Sequence, residues 1–277
     1  MFYYKINIFF YLLYKNMAKN RKNINDKFYT KEFLAIELIE KLNLNEYSLV
    51  IEPSAGSGSF YKNINHPNLI GLDIEPECNG ILKQNWFDFK IEKTGKILVI
   101  GNPPFGNQSS IAFAFFKKAA EIKADTIAFI LPKSFKKDSF RNRIPLEYEL
   151  KYELDLEPNS FTLLNTEYDV PCVFQIWELQ SKLRVIEVLP KSSKNFKFVK
   201  KQDSPDFSMR RVGVNAGKIY NEIEDKSEQS HYFLKASKEI QELFESIKWD
   251  HNNTVGPRSI SKTEIVSIID ELISKKL

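Results

Sequence analysis

Asn102, Pro103, Pro104 and Phe105 stand in the stretch GNPPFG, directly after the apolar run KILVI. Two consecutive prolines cannot extend a strand ladder, because neither has an N–H to donate. The order of an amide, a carbonyl on a rigid proline and an aromatic ring suits one kind of chemistry. The exocyclic amine of a nucleobase is a weak nucleophile, because its lone pair is conjugated into the ring. Pulling it toward tetrahedral geometry requires acceptors for its two N–H bonds. The side-chain oxygen of Asn102 and the main-chain carbonyl of Pro103 are two such acceptors. The prolines hold that carbonyl rigid, and Phe105 offers a face on which a base can stack. Group transfer to such an amine needs alignment more than a proton acceptor. No convincing nucleophile–base pair stands elsewhere in the chain.

Three further groups fall at the ends of apolar segments. EPSAGSGSF supplies Glu52, Ser54, Gly56 and Gly58. Glycines between a strand and a helix permit a tight turn and close approach of a ligand to the backbone. A G-x-G alone equally describes an ordinary strand-to-helix turn. Asp73 closes NLIGLD, where an acid can accept hydrogen bonds from both hydroxyls of a ribose. Asp88, in NWFDF, can hydrogen-bond the amino group of a purine, with Phe87 or Phe89 beside the ring. Each is a weak signal alone. Together they share one location, the carboxyl ends of successive strands, where open α/β sheets bind ligands.

The elements that must position these residues alternate. TKEFLAIELIEKLNL has apolar residues at helical spacing (Phe33, Ile36, Leu38, Ile39, Leu42), with Thr30 as its N-cap. YSLVIEP, NLIGLDIEP, KILVIGNPPF and ADTIAFILPKSF read as buried strands, and SSIAFAFFKKAAEI as an amphipathic helix. Continuous apolar strands alternating with helices predict a parallel sheet buried on both faces. KYELDLEPNSF and PCVFQIWEL add two strands that can pair at one sheet edge. From about Ser181 the chain is richer in Lys, Ser and Asn. There DFSMRRVGVNAGKIY suggests a hairpin, and KASKEIQELFESIKW and KTEIVSIIDELISKK two helices, with Ser237 and Thr263 near their starts. Residues 1–25 are expected to be a poorly ordered extension, 26–180 a catalytic domain and 181–277 a small module for substrate recognition.

The chain has 277 residues, of which 43% are hydrophobic, enough for one large domain or a domain plus a module. Its net charge of +4 is mildly basic and points only weakly to a polyanionic partner. Cys78 and Cys172 make no disulfide framework, and His66, His231 and His251 are too scattered for a metal cluster, so no metal is expected. The apolar run Ile8–Tyr14 is too short to span a bilayer, and no cleavage site follows it. Met17 opens a segment that reads as an ordinary cytosolic start, so the expected location is cytoplasmic, without a membrane.

EPSAGSGSF, GLDI and NPPF, in this order and spacing, resemble the class I S-adenosylmethionine-dependent amino-methyltransferases. The N6-adenine group is the most similar, because FYTKEFLAIELIEKL precedes the glycine loop. The resemblance extends over about Asp26 to Leu179. It implies a Rossmann-like, mostly parallel seven-stranded sheet with helices on both faces, followed by a small C-terminal α/β module. It implies S-adenosylmethionine as cofactor, with Phe28 and Thr30 at its methionine end and Glu52, Ser54, Gly56 and Gly58 as its loop. Asp73 would bind the ribose and Asp88 the cofactor adenine, while Asn102, Pro103, Pro104 and Phe105 would hold the target base. Guanine-N2 and protein-glutamine methyltransferases share the motif, and a non-catalytic nucleic-acid binder is a further alternative. DNA is slightly favoured over RNA, because a polar tail follows the core. Lys133, Phe135, Lys137 and Arg141 after the fifth strand, with Arg210 and Arg211 in the tail, are the candidate contacts to nucleic acid. A dinucleotide-dependent oxidoreductase fits less well, since Tyr61 stands where a third glycine would be.

Overall fold

A computed structural model describes residues 29–163, 166–168, 170–186, 188, 190–249 and 259–276. Phe28 and the N-terminal extension lie outside the described residues. The chain divides into two compact units, residues up to 186 and residues 187–277.

In the first unit the elements are β1 (Tyr29–Thr30), α1 (Glu32–Ile39), β2 (Leu49–Glu52), β3 (Leu69–Asp73), β4 (Leu82–Lys83) and β5 (Ile97–Gly101). They continue with α2 (Ser110–Glu121), β6 (Thr126–Pro132), α3 (Asp138–Arg141), β7 (Tyr148–Asp155), β8 (Phe161–Leu163), β9 (Thr166–Tyr168) and β10 (Cys172–Leu179). Seven strands form one sheet in the order β4-β3-β2-β5-β6-β10-β7. Neighbours from β4 to β6 run parallel, and β10 runs antiparallel to both β6 and β7. This is the Rossmann-like sheet anticipated above, with the last two strands pairing at one edge.

Successive residues of a strand point to opposite faces, so a doubly covered sheet needs apolar residues at every position. Ile51, Val99, Ile127 and Phe129 face the side covered by α2, through Phe113, Phe116 and Ala119. Val50, Leu98, Ile100, Ala128 and Ile130 face the side covered by α1. The buried residues of α1 are Leu34, Ala35, Leu38 and Ile39, whereas Phe33 and Ile36 are 65% and 41% exposed. The apolar stripe is therefore rotated from the expected one. Thr30 does not cap this helix. The cap position is Lys31, and Thr30 sits in β1, paired with Phe161 of β8.

The helix expected after the glycine loop is replaced by turns over residues 53–63. Only about one helical turn closes there, through Lys62 N–H to the Gly58 carbonyl (3.0 Å) and Ile64 N–H to that of Phe60 (3.0 Å). Tyr61, at the third-glycine position, has its own task. Its hydroxyl donates to the Gly80 carbonyl (3.0 Å), and its ring lies over Gly71 in β3. A methyl group on Gly71 would come within 2.6 Å of that ring.

The second unit is an antiparallel sheet of β11 (Phe196–Val199), β12 (Phe207–Arg210), β13 (Ile219–Tyr220) and β14 (His231–Ala236), in the order β11-β14-β12-β13. The anticipated hairpin is β12–β13, with Met209 opposite Ile219. Two helices, α4 (Lys238–Ser246) and α5 (Lys262–Lys276), build a core with Phe196, Phe207, Met209 and Leu234 through Phe244, Ile265, Val266 and Ile269. Ser261, not Thr263, caps α5. Its Oγ accepts from Glu264 N–H (3.2 Å), while the Glu264 carboxylate accepts from Ser261 N–H (2.7 Å), a reciprocal capping box.

Gly71→Ala is expected to destabilise the protein by about 1–3 kcal/mol through overpacking against Tyr61. The added Tyr61→Ala substitution should recover part of that loss. Urea unfolding of the single and double variants checks the coupling, and strictly additive losses would place Tyr61 elsewhere.

Candidate functional site

The strand order reverses between β2 and β5. From β2 the chain proceeds outward to β3 and β4, then returns to the other side of β2. Such a switch point opens a crevice at the carboxyl ends of the strands. Glu52 and Gly101 end the two adjacent strands, and the loops that follow carry Ser54, Gly56 and Gly58 on one side and Asn102 to Phe105 on the other.

Hydrogen bonds tie these loops together. Ser54 Oγ donates to the main-chain carbonyl of Asn102 (3.2 Å). The Asn102 side-chain amide donates to Thr30 Oγ1 (3.2 Å). Thr30 is thus buried beside Asn102 and orients its amide group, a role its place before a helical stretch did not suggest. Asp73 holds the glycine loop from beneath. One carboxylate oxygen accepts from Gly56 N–H (2.8 Å) and the other from Glu75 N–H (2.8 Å). Each oxygen keeps a lone pair for a further donor. Gly56 and Gly58 have φ of +48° and +88°, left-handed conformations that glycine adopts without steric cost. Tyr29, missed by sequence reading, closes the other side of the loop. Its ring lies beside Gly56 and its hydroxyl donates to Glu77 (2.7 Å), whose own N–H donates to the Gly56 carbonyl (3.0 Å).

Glu52 is the most perturbed acid of the site. It is 2% exposed, and burial pushes its carboxyl up to about 8, with the Asp73 charge adding to the rise and a backbone hydrogen bond from Tyr61 opposing it. Its Oε2 is buried and has no hydrogen-bond partner among the described residues. A buried polar atom without a partner is rare in native proteins and marks a place for a ligand or water. A side chain at Gly101 would press on Glu52, 3.2 Å from its Cγ, so glycine there leaves the carboxyl its room.

The NPPF segment is presented firmly. Pro103 is buried, and Asn102, Pro104 and Phe105 are half-buried. Phe105 packs on the cores of both sheet faces, and its carbonyl accepts from Ile111 and Ala112 N–H (3.1 and 3.3 Å) at the start of α2. Gly106 (φ +69°) lets the chain turn there, since a methyl group would lie 2.4 Å from Ile111. Asp88 stands apart from these contacts. It is exposed at the end of a single 3₁₀ turn, Trp86–Asp88, that Asn85 caps by accepting from Phe87 N–H (3.1 Å). Of its two aromatic neighbours, Phe89 is core, stacked on Trp86, while Phe87 is half-buried and edge-on to Phe115.

In the basic stretch after β6, three of the cations are engaged in ion pairs. Lys133 pairs with Asp155 (3.0 Å), and Arg141 pairs with Glu153 (2.8 Å). Lys136 pairs with Asp155 (2.6 Å) and Glu153 (3.8 Å). Phe135, expected as a possible aromatic wall, is fully buried, packed on Phe113 and Phe140. Lys137 begins the short α3 as its N-cap. In the second unit, Arg210 is committed to its hairpin, donating from Nε to the Val212 carbonyl (2.9 Å) and from Nη1 to Ser230 Oγ (3.1 Å). Arg211 remains half-exposed, with Nε donating to the Gln229 carbonyl (3.0 Å).

No group of His, Cys, Asp and Glu among the described residues is placed to hold a metal. No helix among them is long and apolar enough to cross a membrane.

No protein-family model matches the chain, and no curated protein does. Solved structures match it at low identity. A Pyrococcus horikoshii protein provisionally described as an RNA methyltransferase is 17% identical, over 54% of this chain and 83% of its own, with a TM-score of 0.43. The 23S rRNA methyltransferase ErmE is 14% identical, over 57% and 71%, with a TM-score of 0.42. A modification subunit of a provisionally assigned type I restriction enzyme from Vibrio vulnificus is 11% identical, over 98% and 66%, with a TM-score of 0.42.

Burial of Glu52 has a pH signature. Its carboxyl titrates higher folded than unfolded, so the native state keeps a proton that the unfolded chain releases. Its contribution to stability is present in full below about pH 4.5 and is lost as pH rises toward 8. Within that window the slope is at most roughly 1.4 kcal/mol per pH unit. Glu52→Gln should remove this component. Urea unfolding at pH 5 and pH 8 should show a smaller fall for the variant than for the parent protein, and equal falls would mean that Glu52 is ionised in the native state.

Proposed function

We propose that the protein is an S-adenosylmethionine-dependent methyltransferase that acts on the N6 amine of adenine in nucleic acid. The observation that carries this reading is the direct link between the two loops at the switch point, Ser54 Oγ to the Asn102 carbonyl at 3.2 Å. It sets an amine-binding segment against a nucleoside-binding loop.

The residues fit the cofactor. Asp73, already holding Gly56 and Glu75, has lone pairs left for the ribose hydroxyls. The left-handed glycines bring the backbone close to the ligand, and the unpartnered Oε2 of Glu52 offers a buried polar contact. Thr30, with Phe28, would contact the methionine end. Asp88, exposed beside the half-buried Phe87, would take the adenine. The cofactor supplies an electrophilic methyl group on a sulfonium.

The chain's own residues act on the acceptor. Asn102 Oδ1 and the Pro103 carbonyl would receive the two N–H bonds of the base amine and draw its lone pair out of conjugation. Thr30 holds the Asn102 amide nitrogen at 3.2 Å, which turns the opposite oxygen of that amide away from Thr30. Phe105, anchored in both cores, would stack on the base, and the buried Pro103 and half-buried Pro104 keep the carbonyl from moving. The methylated ammonium is acidic and loses its proton to water, so no dedicated base is needed. A base in a duplex would have to be flipped out, whereas an unpaired one is captured at lower cost. The placement of a polar module after the core favours DNA.

Transfer from isotopically labelled cofactor to duplex DNA, single-stranded DNA and structured RNA, followed by nucleoside analysis, tests the reading. Labelled N6-methyladenine is the expected product. Label on guanine N2 would replace it with the corresponding chemistry, and no label with normal cofactor binding would point first to a protein-glutamine substrate and then to a non-catalytic binder. Asn102→Ala should abolish transfer while cofactor affinity stays within a few-fold. Asp73→Ala should weaken cofactor binding by about tenfold or more, as loss of a charge-assisted hydrogen bond implies. Calorimetric titration separates the two effects.

A further inference from the structure

The second unit carries a cleft of about 220 Å³ whose lining includes Phe198, Tyr232, Arg211, Lys200 and Lys262. We propose that this cleft binds one strand of nucleic acid, with Arg211 and Lys262 on phosphates and Tyr232 as a stacking platform. The proposal rests on the reading above that the substrate is nucleic acid.

Two aromatic rings and two cations meet here. Phe198 and Tyr232 lie edge to face, with centroids 5.4 Å apart. Lys262 Nζ stands 4.7 Å from the Phe198 centroid and 5.6 Å from that of Tyr232, and the Arg211 guanidinium lies 5.4 Å from Tyr232. No carboxylate among the described residues is ion-paired with Arg211 or Lys262, although Glu228 lines the same cleft. The contrast with Lys133, Lys136 and Arg141 is direct, since those three cations share ion pairs with Asp155 and Glu153. His231, also in the lining, is held below the usual histidine range by burial and by the charges of Arg210 and Lys226, so at neutral pH it adds a hydrogen-bonding ring without a charge.

Ring-held cations suit exchange. A cation over an exposed ring gains only about 0.5–1 kcal/mol, less than a charge-assisted bond to phosphate. A phosphate therefore draws Lys262 or Arg211 off the ring, and the uncovered face of Tyr232 becomes available to the adjoining base. Lys262 is exposed on the first turn of α5, with its stem free to swing.

The test uses the full chain and a short labelled single-stranded oligonucleotide, DNA and RNA in parallel, with anisotropy read across a salt series. Lys262→Ala and Arg211→Ala should each weaken binding and lower the slope of log affinity against log salt by about 0.7. Lys262→Arg should restore the parent slope. Tyr232→Leu should weaken binding by about tenfold or more with the slope unchanged. Parent affinity and slope in both cation variants would overturn the proposal, as would loss of polyglutamate binding with oligonucleotide binding intact, which would assign the cleft to an acidic protein. Cofactor binding and methyl transfer are read separately. If no methyl is transferred but the salt slope falls in the variants, the cleft stands and the methyltransferase reading fails. If methyl is transferred but the slope is unmoved, the reverse holds.

Discussion

The site depends on the register between β2 and β5. Leu49 faces Ile97 and Ile51 faces Val99, so both strands reach the same sheet edge together and release their loops side by side. A slip of one residue would turn every side chain to the opposite face. If β2 slipped, Ile51 would exchange its place against α2 for the side of α1, and both cores would be disrupted. Packing thus enforces the alignment that lets Ser54 reach the Asn102 carbonyl. The chemistry-bearing loops are flexible in principle, but the strands feeding them are not. Phe105, rooted in both cores, extends that rigidity past the end of β5.

Burial at this edge separates two neighbouring acids into different roles. Asp73 is satisfied by two backbone N–H groups and serves as an anchor for the glycine loop. Glu52 has one oxygen without a partner, and burial lifts its carboxyl to about 8. Burial, and then the charge of Asp73, both disfavour the ionised form of Glu52. At neutral pH this leaves Glu52 largely as a neutral group that can donate as well as accept. Gly101 preserves the space for this arrangement, because a side chain there would press on the Glu52 stem.

Much of the first unit was legible because its strands are continuous apolar runs and its polar candidates fall where those runs stop. The placement of Glu52, Asp73 and Asn102 at the carboxyl ends of strands followed from that pattern alone. Thr30 was misread for a physical reason. A threonine before a helical stretch is a standard capping signal, whereas its partner Asn102 is 72 residues away and invisible locally. The rotated stripe of α1 was ambiguous because Phe33, Leu34, Ala35 and Ile36 are all apolar, and only contact with Val50 and Leu98 selects which of them turn inward. Tyr61 occupied a glycine position because Gly71 and Gly80, farther along, give it room.

The basic stretch after β6 shows that a run of cations can have its acidic partners elsewhere in the fold. Lys133, Lys136 and Arg141 looked like a phosphate-binding group because their acids come later, on β7. The pair Glu153 and Asp155 was the available signal, since period-two spacing puts both on one face of an edge strand. Glu153 is further tied into the core, accepting from Gln175 Nε2 (2.7 Å), whose Oε1 accepts from Trp177 Nε1 (3.0 Å). That buried chain makes Glu153 a fixed negative point rather than a mobile surface acid, and Arg141 is held by it. Such a pair has structural work to do and little attraction left for a polyanion. Lys262 and Arg211, which lie over aromatic rings without a carboxylate ion pair among the described residues, are in the opposite position. Leaving a ring costs them little, so the two groups of cations differ in how firmly each charge is held.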